Sequence, residues 1–144
     1  MKRMLIIPIL LGFAAISIGA AAQQAPKITP VAKLNTTAAG QKLEYPKTDK
    51  PEIESLLVEI STGGESVRHM HPVPTYLYIL EGTLTVEMDD GSRREYQAGT
   101  GFLESMNMWH KGKNAGQGPL KILVLFVSEE GKKNLIPADS MPQP

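Results

Sequence analysis

The stretch Arg68-His69-Met70-His71-Pro72-Val73-Pro74-Thr75-Tyr76-Leu77-Tyr78-Ile79-Leu80 decides the fold. His69, His71, Thr75, Leu77 and Ile79 fall at odd positions, and Tyr76, Tyr78 and Leu80 at even ones. A period of two is that of a β-strand, where residues i and i+2 project from one face. The imidazoles are therefore predicted to share the face of Leu77 and Ile79. Glu81-Gly82 ends the segment with a turn.

Similar segments lie on both sides. Residues 53–60 carry apolar side chains at 53, 56, 57, 58 and 60, and Gly63-Gly64 marks a turn. Residues 83–88 alternate, with Leu84, Val86 and Met88 on one face. Asp89-Asp90-Gly91 is a hairpin signal, because Asp-Gly accommodates positive φ at a tight turn. Residues 93–97 are its returning strand. After Gly99, Phe102-Leu103 opens another strand, and residues 122–127 form a continuous apolar run that predicts burial on both faces. Short strands at this spacing, joined by turns, predict an all-β sandwich or barrel over residues 51–130.

The ends read differently. Lys2-Arg3, the apolar run 4–18 and Ala20-Ala21-Ala22 form a signal-peptide pattern over residues 1–22, with cleavage expected after Ala22. The apolar run is shorter than the ~20 residues a membrane-spanning helix needs. The expected location is the bacterial periplasm or the exterior, with no membrane contact after cleavage. Residues 23–50 are rich in Gln, Ala, Pro, Lys and Thr and are expected to be an extended arm. Residues 131–144 contain three prolines and are expected to be an irregular tail.

The 144-residue chain has 15 basic and 15 acidic residues, and loss of Lys2 and Arg3 leaves 13 against 15. This balance argues against a nucleic-acid partner, which usually leaves a basic stripe. The absence of cysteine excludes disulfides, thiolate ligands and cysteine nucleophiles.

The chemistry rests on histidine. His69 and His71 are placed to converge on one ion, and the chain has only one further histidine, His110. An adjacent antiparallel strand would bring it alongside. Neutral imidazole suits Fe, Zn, Ni and Cu, and three protein ligands leave positions open for water or substrate. No Ser-His-Asp arrangement remains once these histidines are assigned, and Gly63-Gly64 lacks the Lys-Ser/Thr of a phosphate loop.

Gly63, five residues, His69, Met70, His71 and then Gly82 resemble the first cupin motif. Gly99, His110, three residues and Asn114 resemble the second, after a sixteen-residue spacer at 83–98. The resemblance covers residues 52–130. It implies a double-stranded β-helix, or jelly-roll barrel, with one divalent metal in its mouth and a homodimeric assembly. Iron is the first expectation for the metal, with Mn, Zn, Ni or Cu as alternatives.

The chain also departs from the pattern. The family's first motif usually supplies a glutamate ligand with three or four residues between it and the second histidine, where this chain has Thr75 and Tyr76. Ser105 and Asn107 replace the usual proline and glycine of the second motif. The expected site is thus three neutral histidines, whose uncompensated ion would favour an anionic ligand. The resemblance extends to three-histidine cupins, some of them iron-dependent dioxygenases.

Glu104 is the open question. Facing inward, it would be a fourth ligand, a partner for an imidazole N–H or a general base; facing outward, a solvated carboxylate. Thr75, Phe102 and Met106 are candidate substrate contacts. Met106 and Met108 share the parity of His110, although thioether ligation of copper is the weaker reading beside ordinary packing. Trp109, Tyr76 and Tyr78 are expected on the outer face or at a dimer contact, and Asn114 at a strand end. The functional expectation is an exported metal-binding protein of the oxygenase type acting on a small organic ligand. The alternative is a non-catalytic module of the cell envelope that binds metal or a small ligand. A substrate-sized pocket beside the metal would favour the enzyme.

Overall fold

The computed structural model describes residues 25–140. The expected signal peptide lies outside the described residues. The strands are β1 (Pro51–Ile60), β2 (His69–Met70), β3 (Thr75–Glu81), β4 (Thr83–Met88), β5 (Arg93–Gln97), β6 (Gly101–Leu103), β7 (His110–Asn114), β8 (Leu120–Glu129) and β9 (Ile136–Pro137). They form two sheets, ordered β1-β8-β3-β6 and β5-β4-β7-β2-β9, and every strand pairing within them is antiparallel. This is the all-β jelly-roll architecture expected from the sequence.

Alternation builds the core. In β3, Thr75, Leu77 and Ile79 are buried, while Tyr76 and Tyr78 are half-buried on the outer face. Leu77 lies opposite Val124 and Ile79 opposite Ile122, so β3 and β8 present a shared aliphatic surface. Leu84, Val86 and Phe102 complete it from β4 and β6. The β4–β5 hairpin turns at Gly91, whose φ is +83° and whose N–H donates to the Met88 carbonyl at 3.0 Å. Gly82 joins β3 to β4 across the two sheets with φ at +82°; a Cβ there would lie 2.6 Å from the Pro119 carbonyl oxygen.

Two expectations are corrected. The apolar run in β8 is not buried on both faces: Leu123 is 36% exposed, and its β1 partner Leu57 is 61% exposed. Leu120, Ile122, Val124 and Phe126 of β8 fill the core, while Leu123, Leu125 and Val127 form an outer apolar face. Nor is the segment after residue 130 irregular throughout. Its β9 pairs with β2 through Met70–Ile136 and His69–Pro137, and Ala138 N–H donates to the Arg68 carbonyl at 2.9 Å. Backbone pairing, rather than an amphipathic pattern, places that strand. The N-terminal arm makes a tight turn near Thr37 and docks on β6, where Ala38 N–H donates to the Leu103 carbonyl at 2.8 Å.

Candidate metal centre

His69 on β2 lies directly opposite His110 on β7. His71, just beyond β2, bridges to Met106, and its carbonyl accepts the Asn107 N–H at 2.9 Å. Glu104 follows β6 and is fixed by its own N–H, which donates to the Thr75 carbonyl at 2.9 Å. All four side chains are buried, and one ligand atom from each lies within 4.8 Å of the others.

The three rings are held by the same device. Nδ1 of His69 contacts the Val67 carbonyl at 2.7 Å, Nδ1 of His71 the Asn134 carbonyl at 2.8 Å, and Nδ1 of His110 the Met108 carbonyl at 2.8 Å. A carbonyl only accepts, so each Nδ1 is the donor. In a neutral ring this leaves the Nε2 lone pair free to ligate, the backbone counterpart of the outer hydrogen bonds that orient metal-bound histidines.

Glu104 completes the cluster. Its Oε2 lies 3.0 Å from His71 Nε2, and its Oε1 lies 3.3 Å from His110 Nε2. Burial alone would raise its pKa, but His110 and His71 together hold the carboxyl well below the usual carboxylate range. Burial lowers His69 to about 4; the Val67 carbonyl opposes this, while His110 and His71 reinforce it. For His110, burial acts downward, yet Glu104 and the Met108 carbonyl outweigh it and leave the ring raised.

This donor set fits a divalent ion. Three aimed imidazole nitrogens and one ionised carboxylate suit Fe, Mn, Zn or Ni better than copper(I), which selects thioether and thiolate. Nε2 of His110 is buried without a well-formed hydrogen bond, despite its 3.3 Å approach to Glu104. An unpaired buried nitrogen is costly, and a bound ion would satisfy it.

A cavity of about 140 Å³ adjoins the cluster. His69, His71 and Glu104 form its polar wall, and Leu77, Ile122, Val124 and Phe126 line its apolar side. Leu56 and Leu135, 42% and 38% exposed, also line it.

The Cupin domain family matches residues 56–126, which include all four residues of the cluster. The chain belongs to the cupin superfamily. Among solved structures, the formate complex of Lactobacillus farciminis oxalate decarboxylase is 25% identical, with a TM-score of 0.51, over 60% of this cupin and 27% of that chain. A second oxalate decarboxylase structure is 28% identical, with a TM-score of 0.50, over 62% and 26%. The crystal structure of a Bacillus halodurans protein shares the fold at 23% identity and a TM-score of 0.50, over 57% and 67%. This cupin spans about a quarter of the length of the two decarboxylase chains. No curated protein matches it.

The expectation of a site without a carboxylate is corrected by Glu104. Position 75 indeed lacks the glutamate, but Tyr76 pairs with Leu103, so the next residue, Glu104, arrives beside Thr75 from the neighbouring strand. Thr75, Phe102 and Met106 do not line the cavity. The Thr75 hydroxyl donates to the Val73 carbonyl at 3.0 Å. Phe102 stacks on Tyr96 with centroids 3.5 Å apart, and the Met106 backbone is clasped by the Gln41 side chain at 2.8 and 2.9 Å. Asn107 takes φ of +54°, which explains how it serves where the motif has glycine. Asn114 is fully buried and ties the carbonyls of Ile60 and Gly118, a strand-end role. Trp109 lies under the Arg68 guanidinium, 4.6 Å from its ring centre.

Sequence reasoning missed Asn134, Leu135 and Gln41. The first orients His71 through its carbonyl, the second lines the cavity, and the third holds the loop between Glu104 and His110. Two of these contacts use main-chain atoms, which leave no residue-type signature.

Proposed function

We propose that this cupin is an exported metalloenzyme of the oxygenase type, binding one divalent ion, iron as first candidate, and a small organic substrate. His69, His71, His110 and Glu104 hold the ion. When bound, the ion supplies Lewis acidity and, if redox-active, access to dioxygen chemistry. The observation that carries the enzyme reading over a passive envelope module is the cavity, which opens beside the cluster instead of being filled by side chains. Such an apolar pocket with a few convergent polar groups is the usual form of a small-molecule site. Glu104 serves as ligand rather than free base, because its carboxylate lies inside the cluster, 3.0 and 3.3 Å from the ligating Nε2 atoms of His71 and His110.

Export rests on the pattern of residues 1–22. Homodimerisation is supported by the outer face of the four-stranded sheet, where Ile53 and Leu57 are 66% and 61% exposed beside Leu123. The likeness to oxalate decarboxylases supports small-molecule chemistry in general.

The test is to purify the processed protein from the bacterial envelope and measure metal by mass spectrometry beside His71→Ala. About one ion per chain is expected in the wild type and loss of it in the variant, followed by oxygen consumption with phenolic or thiol compounds. Metal that persists unchanged in His71→Ala would refute the site.

A further inference from the structure

The geometry points to a ligand with one anionic head directed at the cluster and an apolar body about the size of benzene, and away from dicarboxylates. This rests on the metal reading above. Volume sets the size: an apolar cavity of about 150 Å³ accepts benzene, and this one measures about 140 Å³.

The lining sets the chemistry. Among the described residues no lysine or arginine lines the cavity. Outside the cluster the one polar side chain in the wall is Ser66, and its hydroxyl is already engaged. It donates to the Val67 carbonyl at 3.0 Å and accepts the Gly112 N–H at 2.9 Å. A second carboxylate on the ligand would therefore meet Leu77, Ile122, Val124 or Phe126 with no partner, and unpaired polar groups are penalised in such surroundings. Charge agrees. Three neutral imidazoles and one carboxylate leave a divalent ion with a single net positive charge, matched by a monoanion rather than a dianion. Exposed Leu56 and Leu135 give the body an apolar rim to cross.

The experiment uses the processed full chain, chelator-treated and metal-loaded, with methyl-labelled NMR and three probes: benzene, benzoate and oxalate. Benzene should move the methyl signals of Leu77 and Val124 in the chelator-treated protein. In the metal-loaded protein benzoate should bind ~10- to 100-fold more tightly than oxalate, the ratio expected for one unpaired polar group. Leu56→Arg, at an exposed position on an edge strand, should shrink that ratio by giving oxalate a cationic partner. Oxalate binding as tightly as benzoate, or benzene leaving the cavity methyls unmoved, would overturn the inference while leaving a metal-loaded centre intact. Protein that binds benzene but takes up no metal would instead overturn the metal reading and the ligand's anionic head, and retain the apolar body.

Discussion

Removing residues 131–144 should cripple metal binding although none of the four cluster residues is touched. The truncation deletes the Asn134 carbonyl that accepts the His71 Nδ1–H at 2.8 Å, and β9, which backs His69 across the Met70–Ile136 pairing. Without that acceptor, the His71 ring loses the bond that fixes its tautomer. Loss of such an orienting partner typically costs ~10- to 100-fold in metal affinity, or about 1.4–2.7 kcal/mol. The fold loses the Ala138–Arg68 bond at 2.9 Å and the β2–β9 pairing as well. At about 0.5–1.5 kcal/mol for each net hydrogen bond, the cost to stability is roughly 2–4 kcal/mol. Asn134→Ala is the control. It removes the Nδ2 bond to Glu54 at 2.7 Å and an unpaired buried Oδ1, yet keeps the carbonyl. It should cost about 1 kcal/mol of stability and leave affinity within ~3-fold of wild type. Affinity is read by chelator competition and stability by urea unfolding of the metal-free chains. A truncated chain that folds and binds metal like wild type, or an Asn134→Ala chain that loses as much affinity as the truncation, would refute the role given to the carbonyl.

Glu104→Gln keeps the shape but removes the cluster's only negative charge, and should weaken metal by ~100-fold or more, measured by the same competition. The chelator-treated protein should lose stability as pH falls from 6.5 to about 4, because unfolding lets His69 take up a proton that burial denies it. The depressed Glu104 acts in the same direction on further acidification, while the raised His110 opposes both; urea midpoints across this range should fall less steeply in His69→Phe than in wild type. Gly82→Ala combines a φ of +82° with a Cβ 2.6 Å from a main-chain oxygen, and should lower stability by about 1–3 kcal/mol in urea.

The parts of the fold legible in the sequence are those where one face is wet or polar and the other buried. The odd–even contrast of β3, the alternation of β4 and the Asp-Gly hairpin each leave a local signature. Where the contrast fails, so does the reading. Apolar residues on both faces of β8 look identical in sequence, although one set is core and the other forms an outer surface. The orientation of Glu104 was undecidable for a related reason. Phe102 and Leu103 are both buried, at 6% and 7% exposure, because the arm covers the outer side of β6 at Leu103, so apolar character there does not reveal parity. β9 is a two-residue strand containing proline, too short for any period.

The missing glutamate at position 75 and the buried glutamate at position 104 are two halves of one arrangement. Thr75 stays in the buried row of β3, its hydroxyl turned to Val73 and its carbonyl binding the Glu104 N–H. The residue at the motif's glutamate position therefore helps to anchor the carboxylate that joins the cluster. A linear motif scores position 75 as a loss, because it has no means of recording that β3 and β6 are neighbours. The consequence is electrostatic. A carboxylate within the cluster removes the reason to expect a strongly anionic ligand, and the apolar wall of the cavity then has the larger say in what binds.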